Sequence, residues 1–131
     1  MKNNFKKNHY VLVKKAVSKE LATFLYNYFL IKKQVYDITL KERYVSPFEK
    51  MLGEYERSAE EGGQVPGSYA NYGDIAGDTL LLKTQKIVEE NTGIQVYPNY
   101  SYARNYKRGD ELVRHVDRIS CEVSTTIFLG G

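Results

Sequence analysis

The sequence predicts an α+β fold, with a mainly helical N-terminal part followed by consecutive β-strands. Before Gly93 the apolar residues recur with the 3.6-residue period of amphipathic helices. After Gly93 the chain becomes rich in aromatic and β-branched residues that alternate with the 2-residue period of strands. We therefore expect a single domain over residues 1–131, mainly helical in residues 1–92 and built of strands in residues 93–131.

The helical part opens with a short strand-like run at residues 10–17, after which Ser18 is placed to cap a helix. The spacing i, i+3, i+4, i+7 and i+10 defines one apolar face of that helix, formed by Leu21, Phe24, Leu25, Tyr28 and Ile31. Residues 48–60 carry a second helical pattern, which is weaker and highly charged.

A loop and a third helix are predicted next. Residues 61–74 combine glycine, proline, asparagine and tyrosine, which is typical of a long loop. Asp78 or Thr79 would cap the third helix, and Gly93 would lie just beyond its end. Its apolar face would consist of Leu80, Leu81, Thr84, Ile87 and Val88. Tyr69 and Tyr72 of the loop are either part of a lid over a substrate or packing anchors.

Three strands and a turn account for the rest of the chain. Residues 94–106 form the first strand, which has on one face Tyr100, Tyr102, Arg104 and Tyr106. A turn around Gly109 leads to a second strand, which has on one face Val113, His115 and Asp117. Residues 121–129 form the third strand, where Thr126 and Phe128 share a face that lines a pocket if it points inward.

Composition narrows the functional classes. The net charge is +3, from 19 basic and 16 acidic side chains, which does not indicate a nucleic acid or an anionic membrane as partner. Cys121 is the single cysteine, so an intrachain disulfide is excluded and a reducing cytoplasm is expected. That thiol is expected to be a small buried apolar group. No apolar run approaches the roughly 20 residues of a membrane span, and no signal peptide is evident.

His115 and Asp117 are the residues most indicative of chemistry. On a strand, residues two apart point to the same side, so one imidazole nitrogen and one carboxylate oxygen converge. They then supply two of the three ligands of the two-histidine, one-carboxylate triad that binds non-haem Fe(II). The alternative without a metal site is a surface strand on which Asp117 forms a salt bridge with Arg114 or Arg118.

The sequence around this pair resembles the first half of the domain of a known enzyme family. The resemblance lies in the stretch from Asn105-Tyr106 through Gly109 to His115-x-Asp117 and in the segment TTIFLGG that follows it. This family is the 2-oxoglutarate- and Fe(II)-dependent oxygenases, in particular the prolyl 4-hydroxylase-like branch with its small phage-type members. The resemblance covers roughly residues 65–131. It implies a double-stranded β-helix (jelly-roll) flanked by helices. It also implies a dioxygenase that uses 2-oxoglutarate and O2 to hydroxylate a small molecule or a peptidyl side chain.

Carried over by position, the resemblance implies that His115 and Asp117 are iron ligands and that Tyr106 contacts 2-oxoglutarate. The alternative for Tyr106, which has equal weight, is an aromatic side chain of the core. Gly109 would match the glycine of the turn. Five basic residues lie near the proposed site, namely Arg104, Lys107, Arg108, Arg114 and Arg118. They would either attract the dianionic cosubstrate or form a solvated face, and Arg104 is the best candidate for attracting the cosubstrate.

The family's distal histidine and its cosubstrate-pairing basic residue lie further downstream, beyond the position of Gly131. His9, the only other histidine, is at the wrong end of the sequence to replace that ligand. We therefore expect a jelly-roll that is incomplete at its C-terminus and a chain that is inactive alone. The alternative function is a non-catalytic binding or structural module built on a jelly-roll remnant.

Overall fold

The computed structural model describes residues 5–42 and 53–131 and has the α+β composition that the sequence predicts. Its helical elements are α1 (Phe5–Asn8), α2 (Lys19–Lys41), a short 3-10 helix (Ala59–Glu61) and α3 (Ile75–Thr92). Its strands are β1 (Glu54–Tyr55), β2 (Tyr69–Tyr72) and β3 (Tyr102–Asn105), which form one antiparallel sheet in the order β1-β2-β3. Within the described ranges, no helix is both long and apolar enough to span a membrane.

Helix α2 begins where the sequence predicts. The Ser18 side chain accepts a hydrogen bond from the Leu21 amide at 3.1 Å, which satisfies one of the free donors of the first turn. Leu25 and Phe29 are the buried residues of this helix and pack into the core. Two of the other predicted face residues, Phe24 and Ile31, are exposed. The buried face of α2 is therefore rotated away from part of the predicted apolar face.

Helix α3 starts earlier than the prediction of a cap at Asp78 or Thr79. The N-cap is Asp74, whose carboxylate accepts hydrogen bonds from two backbone amides of the first turn at 2.8 and 3.3 Å. Asp78 instead accepts hydrogen bonds from the amide and hydroxyl of Ser101 at 3.0 and 2.7 Å. Gly93 adopts the left-handed conformation with φ of 70° and ends the helix, which confirms the predicted C-terminus.

Asp74 also joins α3 to α2. Its carboxylate forms an ion pair with Lys32 and accepts a hydrogen bond from the Tyr28 hydroxyl at 3.0 Å. The side chains of Lys32 and Asp74 are only 13% and 4% exposed. One buried carboxylate thus serves as helix cap and as the link between two helices.

Strand β2 falls inside the segment predicted as a loop, so that prediction is wrong at residues 69–72. Both edges of β2 are paired, because Tyr69 lies opposite Tyr55 of β1 and Asn105 of β3. Pairing on both sides stabilises a strand even in a glycine- and asparagine-rich sequence. Tyr69 and Ala70 are among the most buried residues of the protein, at 1% and 3% exposure.

Three tyrosines join α2 to strands β1 and β2. The rings of Tyr36, Tyr55 and Tyr69 lie 5.5–5.7 Å apart, at angles typical of edge-to-face and tilted aromatic pairs. Burial raises the pKa of Tyr69 to about 12. Tyr69 is therefore a packing anchor and not part of a lid. The abundance of tyrosine, 12 of 131 residues with no tryptophan, is partly explained by this cluster.

Several predicted elements do not form. Residues 10–17, 111–118 and 121–129 contain no strand, and the first strand is restricted to Tyr102–Asn105. A strand requires a ladder of backbone hydrogen bonds to a partner. In residues 111–118 the Val113 amide donates to the Gln64 carbonyl at 3.3 Å, and one such bond does not make a ladder. Of the predicted helix at 48–60, residues 48–52 lie outside the described residues, and the remainder contains β1 and the start of the 3-10 helix.

Candidate metal-binding site

The side chains of His115 and Asp117 face each other, although they lie on an irregular segment instead of the predicted strand. The distance between His115 Nε2 and Asp117 Oδ1 is 3.4 Å. Residues 111–120 are all exposed, so the pair lies at the surface and not in an enclosed pocket. The two side chains therefore face each other, but the strand that was predicted to bring them together is wrong and no pocket encloses them.

Neighbouring groups fix the orientation of both side chains. The Nδ1 atom of His115 lies 2.8 Å from the carbonyl oxygen of Val113. A carbonyl only accepts hydrogen bonds, so Nδ1 must carry a proton and donate it. The Ser124 hydroxyl donates a hydrogen bond to Oδ2 of Asp117, which leaves Oδ1 directed at the imidazole ring.

The hydrogen bond to the carbonyl leaves Nε2 of His115 facing Oδ1 of Asp117. An imidazole nitrogen and a carboxylate oxygen that face each other are both potential metal ligands. Histidine ligands commonly donate the other ring N–H to a carbonyl in the same way.

The distance between the donor atoms is compatible with a shared metal ion. Two adjacent ligands on one ion, at bond lengths of about 2.1 Å and a right angle, lie about 3.0 Å apart. The 3.4 Å between Nε2 of His115 and Oδ1 of Asp117 needs only a small adjustment to reach that value. Among residues 5–42 and 53–131, no third histidine, cysteine or acidic side chain completes a group of three potential ligands.

The segment that carries Asp117 is held against the sheet by aromatic stacking. The rings of Tyr72 and Tyr100 are stacked with centroids 4.6 Å apart. The Arg118 guanidinium lies 5.4 Å from both centroids, and its Nη1 donates to the Tyr72 hydroxyl at 3.3 Å. This cation–π contact positions the residue immediately after Asp117. Tyr72 is therefore an anchor for the candidate site.

Tyr106 lies in different surroundings from the histidine–aspartate pair. Its ring is 53% exposed and lines a cavity of about 360 Å³, together with Lys33, Ser68 and Lys107. Neither His115 nor Asp117 lines this cavity. Tyr106 is accordingly not a core aromatic, and its hydroxyl accepts a hydrogen bond from Arg104 at 3.2 Å.

Arg104 is occupied by a buried ion pair that the sequence did not reveal. Its guanidinium contacts the Glu56 carboxylate, and the two side chains are only 8% and 11% exposed. Glu56 also accepts hydrogen bonds from the Tyr102 hydroxyl at 2.6 Å and from the Val65 amide at 2.7 Å. The guanidinium further lies over the rings of Tyr102 and Tyr106, so these three side chains lie on the same side of the chain, as predicted, although Tyr106 follows the end of β3.

The Glu56 cluster shifts the pKa values of its members. Burial alone would raise the pKa of Glu56, but hydrogen bonds from Tyr102 and Val65, together with the Arg104 charge, hold it below its ordinary value. Burial and the hydrogen bond to Glu56 raise the pKa of Tyr102 to about 12. At Asp74, burial also opposes ionisation, yet hydrogen bonds from Lys32 and Tyr28 lower the pKa.

These shifts predict an acid-labile fold. Because the pKa values of Glu56 and Asp74 are lowered on folding, their ionised forms stabilise the folded state. That stability is fully present above the unfolded pKa values, about 4, and is lost as pH falls through the lower folded values. We expect the free energy of unfolding in urea to be flat from pH 7 to about 5 and to fall steeply below about 4. An unfolding free energy that does not fall between about pH 4 and 3 would contradict this assignment.

The remaining candidates have simpler environments. Lys107 pairs with Asp110 at 2.8 Å across the predicted turn, where Gly109 has φ of 92°. Thr126 and Phe128 are exposed and do not line the cavity. Cys121 is partly buried, and its thiol lies 3.6 Å from the Tyr100 hydroxyl.

Comparison of the chain with protein-family models, with curated proteins and with solved structures found no match in any of the three.

Proposed function

We propose that this chain carries the iron-ligand half of a 2-oxoglutarate- and Fe(II)-dependent dioxygenase of the prolyl 4-hydroxylase-like type. The observation that carries the proposal is the opposed pair of His115 Nε2 and Asp117 Oδ1, with Nδ1 fixed by a carbonyl so that the other ring nitrogen is available. The resemblance of the sequence around this pair supplies the family. The jelly-roll is part of this proposal, and the three-stranded sheet would be one portion of it.

Each residue has a defined task in this proposal. His115 and Asp117 would hold Fe(II), and a third ligand would come from outside the described residues. Bound iron would supply redox chemistry with O2 and 2-oxoglutarate, leading to hydroxylation of a small-molecule or peptidyl substrate. Ser124 and the Val113 carbonyl orient the two ligands, and the Arg118 stack holds their segment in place.

Tyr106 is the proposed contact for 2-oxoglutarate. The resemblance of the sequence supplies this role, because the cavity that Tyr106 lines is bordered by neither His115 nor Asp117. Arg104 donates to the Tyr106 hydroxyl and is itself neutralised by Glu56, so it orients the phenol without offering a free charge to a carboxylate. Lys33 and Lys107, which line the same cavity, have Asp37 and Asp110 as their ion-pair partners.

A second function is favoured by the exposure of the candidate site. Residues 111–120 lie at the surface, and the described residues contain only two converging ligands. Both features suit a non-catalytic binding or structural module in which His115 and Asp117 form a polar contact at the surface. The two functions differ in one measurable property, the affinity of the pair for a divalent metal.

We expect His115→Ala and Asp117→Ala to abolish binding of Co(II), used as an oxygen-stable substitute for Fe(II). Two protein ligands bind a metal weakly, so the parent chain should saturate only when Co(II) is in large excess over the protein. The measurement is the visible absorption of Co(II) during titration, in a buffer without competing ligands. Tyr106→Phe and His9→Ala are the matched controls and should bind Co(II) like the parent. Equal binding by the parent and His115→Ala would overturn the iron-site proposal and favour the module.

A further inference from the structure

Helix α2 has a second apolar stripe that the described part of the protein leaves uncovered. Phe24, Ile31, Val35 and Ile38 are 66%, 58%, 44% and 63% exposed. They lie on one side of the helix, away from the buried residues Leu25 and Phe29. Isolated exposed apolar residues are common, but a contiguous row along one helix indicates an interaction surface.

The stripe has the spacing of a coiled-coil seam. Successive positions are separated alternately by three and four residues, in the order Leu21, Phe24, Tyr28, Ile31, Val35 and Ile38. These are the a and d positions of a heptad pattern, which pack against a second helix. Leu21 and Tyr28, both at a positions, are partly covered within the chain, and the Tyr28 hydroxyl keeps its hydrogen bond to Asp74.

The stripe is complementary to a second, antiparallel copy of itself. In one register each a position meets a d position of the other copy, which pairs Leu21 with Ile38, Phe24 with Val35 and Tyr28 with Ile31. All six apolar positions are used, so the register leaves none unmatched. The two-fold axis of the pair would pass between Tyr28 and Ile31, as a symmetric dimer interface requires.

The charges flanking the stripe distinguish this arrangement from a parallel one. In the antiparallel register, Glu20 of one copy lies beside Lys41 of the other, and Asn27 lies beside Gln34. Glu20 and Lys41 are exposed in the single chain and are available for this contact. A parallel pair would bring Asn27 beside Lys32 and would give no contact between opposite charges.

We propose that two copies of this chain associate through α2 as an antiparallel helix pair. The helix has 23 residues, which corresponds to a length of about 34 Å, so the contact is at the small end of stable interfaces. A contact of this size favours a weak dimer that depends on protein concentration. The proposal is independent of the iron site, because α2 contains neither His115 nor Asp117.

The test is the molar mass of the purified chain over a concentration series, measured by sedimentation equilibrium. We expect a monomer–dimer equilibrium for the parent and a monomer at all concentrations for Ile31→Glu, which places charges near the two-fold axis. Thr23→Glu, at an exposed position of α2 outside the stripe, is the matched control and should dimerise like the parent. Unchanged helical circular dichroism would show that Ile31→Glu still folds.

A charge exchange tests the direction of the two helices. Glu20→Lys alone should weaken the dimer, because the introduced ammonium group would lie beside Lys41 of the second copy. The double variant Glu20→Lys/Lys41→Glu should restore the dimer, because it places opposite charges side by side again. A monomeric parent, as expected if another segment or protein covers α2, would overturn the proposal. So would a dimer insensitive to Ile31→Glu, a double variant that fails to recover, or assembly beyond the dimer.

Discussion

Glu56→Ala is expected to lower the free energy of unfolding by about 3 kcal/mol, a large part of the total stability of a small domain. The substitution removes the ion-pair partner of Arg104, whose side chain is only 8% exposed. It also removes the acceptors of the Tyr102 hydroxyl and of the Val65 amide, and Val65 is 1% exposed. Buried donors without acceptors cost more than the hydrogen bonds themselves contribute.

Urea unfolding of matched variants measures this effect. Glu56→Gln keeps an acceptor for the surrounding donors but removes the charge. It should therefore lower the free energy of unfolding less than Glu56→Ala does. Glu54→Ala changes an exposed carboxylate two residues away and should alter stability by less than about 0.5 kcal/mol. Equal stabilities of Glu56→Ala and Glu54→Ala would show that the buried cluster contributes little.

The sequence predicted helices better than strands, for a physical reason. A helix closes its hydrogen bonds within the segment, so the cap at Ser18 and the end at Gly93 could be recognised locally. A strand depends on a partner elsewhere in the chain. Residues 69–72 lie in a glycine-rich stretch yet form the central strand, whereas the apolar residues 121–129 form none. Neither outcome was predictable from local composition.

At the candidate site, too, the contacts depend on parts of the structure that local sequence patterns did not predict. The prediction that His115 and Asp117 point to the same side rested on a strand that is absent, and their contact arises instead from an irregular segment. The partner of Arg104 could not be predicted, because Glu56 is 48 residues away and lies in a segment with a helical pattern. Such pairs result from the packing of the sheet, and a single sequence carries no local signal for them.

Asp74→Ala is the second substitution with a large expected effect, about 3–5 kcal/mol lower free energy of unfolding. The residue was missed because Asp78 and Thr79 also precede an apolar run, although the stretch Asp74-Ile75 is itself a capping signal. The substitution removes the helix cap, which alone is worth about 0.5–2 kcal/mol. It also takes the carboxylate away from Lys32, which is 13% exposed, and from the Tyr28 hydroxyl.

Two further variants separate these contributions. Asp74→Ser retains an oxygen that can cap α3 but removes the ion pair. The difference in unfolding free energy between Asp74→Ser and Asp74→Ala therefore measures the contribution of the cap. Glu90→Ala removes a carboxylate from the same helix that pairs with Lys86 at the surface, where both side chains are more than half exposed. Such pairs contribute at most about 0.5 kcal/mol. If Asp74→Ala were no more destabilising in urea than Glu90→Ala, the link between α2 and α3 would not depend on this carboxylate. The expected order is instead Asp74→Ala, then Asp74→Ser, then Glu90→Ala, because burial makes the loss of a charge partner costly.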